Sequence, residues 1–75
     1  MGNHDAWFVM TLQLGQEWPD LDGPFPTEQD ANKWCDRVRD ARERRGWTPV
    51  KFMLEQVDLQ TFTTITYRNF DEQLP

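Results

Sequence analysis

The sequence predicts an α+β fold. One amphipathic helix, about residues 28–45, packs as a second layer on a small three-stranded sheet, in the order β-α-β-β. Three observations predict it. Apolar residues alternate with period 2 from Ala6 to Leu14. A capped segment with period 3.6 follows. Two further runs rich in β-branched and aromatic residues close the chain. The whole reads as one domain, 1–75, with loose ends at 1–5 and 69–75.

In the first strand Phe8, Met10, Leu12 and Leu14 share one face, and Trp7, Val9, Thr11 and Gln13 share the other. The first face is expected to be the buried one. Gly15 to Pro26, GQEWPDLDGPFP, reads as a loop, because two glycines and three prolines suit neither a helix nor a central strand. Thr27 is then a good N-cap, with Asp30 at N3. Ala31, Trp34, Cys35, Val38 and Ala41 form one apolar stripe. Glu28 and Asp30 suit the positive end of the helix dipole, and Arg42, Arg44 and Arg45 the negative end, before Gly46 as the stop. Asp36, Arg39, Asp40 and Glu43 face solvent and can pair at i+3 and i+4.

Val50, Phe52 and Leu54 alternate with Lys51, Met53 and Glu55 in a second strand, and Phe62 to Tyr67 makes a third. The link Val57-Asp58-Leu59-Gln60 holds no Asn-Gly or Asp-Gly signal, so the hairpin between them rests on the strands alone. If the first two strands are parallel neighbours, their crossover is right-handed. The outer sheet face is expected to carry Trp7, Val9 and Met53, with Ile65 or Tyr67, which is more apolar than a solvated face needs.

Composition narrows the function. A chain of 75 residues buries about 60% of its unfolded surface, so its core supplies only about 3–5 kcal/mol without a staple. Cys35 is the single cysteine, which excludes an internal disulfide and, with one histidine, a Cys/His zinc cage. Four tryptophans and five phenylalanines supply packing area instead. The lone thiol, with no apolar run of membrane length, points to a cytoplasmic protein without membrane contact. Ala6 stands where a myristoylation site wants Ser or Thr. The net charge of −5 argues against direct nucleic-acid binding. Residues 28–45 hold six bases and five acids, so the helix is the least acidic part of the chain.

No catalytic, cofactor or metal motif emerges, and the expectation is a protein that is not an enzyme. The chain has no serine, Cys35 falls on the apolar helix stripe, and His4 lies near the terminus. Asp20-Leu21-Asp22-Gly23 resembles the middle of an EF-hand loop, but Trp18 and Gln29 occupy the two anchor positions, so a turn is the better reading. With Met1 removed, Gly2-Asn3-His4 would offer a square-planar copper or nickel site that any third-position histidine offers. Lys33, Arg37, Arg44 and Arg45 could touch phosphates, but the helix dipole explains arginines there. Aromatic anchors ringed by polar groups remain. They give a candidate partner-binding set of Trp18, Asp20, Leu21, Asp22 and Phe25 in the loop, with Trp7 and Met53 on the outer sheet face.

The run Gly23-Pro24-Phe25-Pro26-Thr27 with Ala31, Trp34 and Val38 resembles half of a SPOR-type peptidoglycan-binding domain, whose second half-motif the sequence lacks. In size, acidity and β-α-β-β order the chain is more similar to small bacteriophage-encoded accessory proteins, including anti-CRISPR and other host-takeover inhibitors. That resemblance implies a stoichiometric protein-binding inhibitor in the host cytoplasm, without cofactor. Two other readings stay open: a self-associating accessory protein that dimerises through the outer sheet face, and an acidic DNA mimic that occupies a nucleic-acid-binding site.

Overall fold

The computed structural model describes residues 4–70. The order is β1 (Asp5–Leu12), β2 (Asp20–Phe25), α1 (Glu28–Arg44), β3 (Lys51–Asp58) and β4 (Thr63–Asn69). The fold is α+β with two layers, as expected, but the sheet has four antiparallel-paired strands in the order β2-β1-β3-β4. The extra strand is β2, inside the stretch read as a loop. The turn reading of Asp20 to Gly23 is corrected with it. Pro24 is tolerated because β2 is an edge, where one side of the strand needs no ladder partner. Gly23 lets β2 close on β1. A Cβ there would meet Phe8 Cδ2 at 2.8 Å and the Trp7 carbonyl oxygen at 2.9 Å, and its φ of 138° suits glycine alone.

β1 and β3 are antiparallel neighbours, so no parallel crossover joins them. Because β2 and β3 both run opposite to β1, they are parallel to each other on either side of it, and α1 connects them.

Register decides which face of β1 is buried. Val9 pairs with Leu54, and Thr11 with Phe52. Directly paired residues share a face. Phe52 and Leu54 turn to the helix, so Trp7, Val9 and Thr11 turn with them and are buried. The expectation for β1 is therefore inverted. Phe8, Met10 and Leu12 lie on the side away from the helix, and Leu14 is exposed in the following loop. Both faces of this strand are apolar, so alternation alone could not choose between them.

The helix forms as read. The Thr27 hydroxyl accepts from the Asp30 amide at 3.1 Å, and Arg45 is the C-cap with Gly46 at φ 69° behind it. Arg39 reaches Asp36 at 2.7 Å. Arg42 donates through Nε and Nη2 to the Thr48 carbonyl at 3.0 and 2.7 Å, which ties the helix end to the next loop. Ala31 and Cys35 are fully buried against Trp7, Val9, Phe52, Leu54 and Phe70. Phe25, Trp34, Phe52 and Phe70 form a chain of ring contacts along the seam, with centroids 6.0, 6.1 and 5.8 Å apart.

The ends depart from expectation. Asp5 is already in β1, and the His4 carbonyl accepts from the Leu59 amide. Asn69 closes β4, and Phe70 is a core residue under the Arg39 guanidinium, 5.1 Å from its ring. Val57 and Asp58 belong to β3, and Phe62 sits in the turn rather than the strand, at φ 56°. The Gly2-Asn3-His4 motif and the tail after residue 70 fall wholly or partly outside the described residues.

Candidate protein interface

The helix covers one side of the sheet, packing across β1, β2 and β3. Among the described residues no element covers the other side, and pairing places its side chains in rows. Leu21, Met10, Met53 and Asn69 form the central row. Phe8, Glu55 and Tyr67 form the next, and Val57 with Thr64 the one beyond. Leu12 and Lys51 flank the central row on its other side. Leu21 is 61% exposed, Tyr67 64%, and Phe62 at the hairpin turn 81%. A shallow cavity of about 260 Å³ opens between Phe8, Leu21, Val57 and Phe62, with Glu55 and Thr64 in its lining. The Thr64 hydroxyl donates to Glu55 Oε1 at 2.9 Å. Within the strands, Lys51 and Glu55 are the charged side chains of this face.

The residues singled out from sequence do not form one surface. Met53 and Leu21 lie in the central row of the open face. Trp7 is corrected: it is 9% exposed and belongs to the core. Phe25 is half-buried against Trp34, so it closes the core edge instead of standing free. Asp20 and Asp22 pair with Thr11 and Val9, which turns them to the helix side of the edge strand, opposite Leu21. Trp18 is exposed in the loop before β2, 75% accessible. The face also carries Phe8, Met10 and Leu12, which the alternation alone places in the core, and Phe62, which composition alone places in a strand. The signal available was the doubly apolar alternation of β1.

A second feature lies at the helix C-terminus. Arg42 and Arg45 stack on Trp47, 5.4 and 5.0 Å from its ring. A cavity of about 290 Å³ beside them is lined by Arg39, Arg42, Trp47, Val50, Lys51 and Phe52. Its guanidiniums are engaged: Arg39 by Asp36 and Phe70, Arg42 by Thr48 and Trp47. These contacts account for arginines that the dipole explained only in part.

Among the described residues no three His, Cys, Asp or Glu side chains converge in a way that could hold a metal ion, and no helix is long and apolar enough to cross a membrane. Cys35 is sealed in the core, where a thiol behaves as a small hydrophobe. Comparison with protein-family models, curated proteins and solved structures gives no match for this chain.

Proposed function

We propose that the chain is a small non-enzymatic protein-binding module whose contact surface is the helix-free face of its sheet. The observation that supports this reading is the continuous run of Leu21, Met10, Met53, Phe8, Tyr67 and Val57 on one face that no element of the described residues covers. Patches of this kind on soluble domains mark interaction sites, because leaving so much apolar surface in water is costly. In the form implied by the resemblance to phage accessory proteins, the module acts in the host cytoplasm as a stoichiometric inhibitor of an enzyme or defence complex. The test is a double variant, Leu21→Asp with Met53→Asp, used in a pull-down from host lysate. Both side chains point away from the helix, and Met53 is half-buried in a central strand, so the variant is expected to stay folded at a cost of about 1–2 kcal/mol. The variant should lose the stoichiometric partner that the parent retains. Equal capture by both chains would remove the open face from the function.

A further inference from the structure

The charges of the open face are self-complementary, and from them we infer that the free chain closes this face against a second copy of itself. This deepens the reading of the face as a contact surface and rests on it. Lys51 and Glu55 lie on β3, two residues either side of Met53, and all three point away from the helix. Two sheets stacked face to face are related by a two-fold axis lying in the plane between them. That axis can run along the strands or across them.

Along the strands, β3 sits over β1 of the other copy. Lys51 then meets Leu12, and Glu55 meets Phe8, because those are its cross-strand partners. Lys51 would be buried against an apolar group with no opposite charge, and Glu55 with only the Thr64 hydroxyl as partner. Across the strands, with the axis through the row of Met10 and Met53, each strand lies over its own copy with its direction reversed. Lys51 then stands over Glu55 of the second copy, and Glu55 over its Lys51. Met10 and Met53 meet their own equivalents on the axis, and unbranched Met adapts to such contacts. The charges therefore select one of the two arrangements.

Size and net charge agree with this. Four strands about 4.8 Å apart, over six residues at about 3.3 Å each, make a face roughly 20 Å on a side. That is about 400 Å² in projection, and protruding side chains raise the accessible area toward the roughly 800 Å² that each partner of a standard-sized interface buries. The chain carries −5, yet Lys51 and Glu55 bring the face itself to zero, so its own charges do not oppose closure. Asp20 and Asp22 lie on the helix side of β2, clear of the contact.

The test is sedimentation equilibrium from about 1 μM to about 1 mM, a range that brackets the affinities of ordinary interfaces. The parent should dimerise within it. Lys51→Glu turns two Lys–Glu contacts into two Glu–Glu contacts and should weaken the dimer about tenfold or more. Adding Glu55→Lys to the same chain should restore it. Leu21→Asp with Met53→Asp should give a monomer, and near-ultraviolet circular dichroism confirms that each variant is folded. A strictly monomeric parent at 1 mM overturns the second copy, and so does a dimer that ignores Lys51→Glu. Neither result touches the broader proposal, which stands or falls on whether the Leu21/Met53 variant loses its partner in the pull-down.

Discussion

Gly23 holds the edge of the sheet in place through what it lacks. Its missing Cβ leaves room for the Phe8 ring and the Trp7 carbonyl oxygen, both closer than any real side chain would allow. In Gly23→Ala the backbone oxygen cannot move away cheaply, and the φ of 138° becomes strained as well. The variant should lose about 2–3 kcal/mol, read from chemical denaturation, with the loss in midpoint and little change in slope. A loss under about 0.5 kcal/mol would mean that β2 is not held against β1 in solution. The aromatic residue that ends this strand and the one that precedes it have opposite fates for the same kind of reason. Phe25 pairs with Trp7 and reaches the Trp34 ring, while Trp18 lies before the first paired residue and is 75% exposed.

The helix is the element most fully legible in the chain, because its signals are local. Caps, dipole charges and an apolar stripe act within one or two turns, so tertiary context has little to override. The Thr27 hydroxyl caps the helix by accepting from the Asp30 amide, so Thr27→Ala should cost about 1 kcal/mol in thermal or chemical unfolding. Thr27→Ser should retain most of it, since the hydroxyl and not the methyl makes the bond. The strands carry weaker local signals. β3 was readable because Lys51 and Glu55 mark its outer side between Phe52 and Leu54. β1 has no such marker, since Trp7 and Val9 are as apolar as Phe8 and Met10. β2 was concealed by Gly23 and Pro24, which read as loop residues until an edge position and a close backbone approach account for both.

At the scale of the molecule, the helix lies over three strands, while β4 is held mainly by its ladder to β3. The tie between the Arg68 and Glu28 side chains, 2.8 Å long, and the packing of Phe70 on Phe52 anchor only its end. All of β4 up to Arg68 is exposed, and Ile65 marks a shift in its register with β3. Local opening should begin there. In hydrogen exchange the amides that β4 donates to β3 should exchange about 100-fold faster than those between β1 and β3. Equal protection would mean that β4 unfolds only with the whole domain. A dimer closed through the open face would cover Tyr67 and raise β4 protection as concentration rises, which links this measurement to the sedimentation series.

The α+β class, the helix with both its ends, the burial of Cys35 and the inward face of β3 were determined by the sequence alone, because each depends on interactions between residues close in the chain. Tertiary structure decided the rest. The sheet gained its fourth strand from a close approach that only glycine permits. β1 took its buried face from register with Phe52 and Leu54, which a one-residue slip would reverse. That choice moved Trp7 into the core and brought Phe8 and Met10 beside Met53. The candidate interface is thus the product of strand pairing between residues more than forty positions apart, a relation that no local pattern contains.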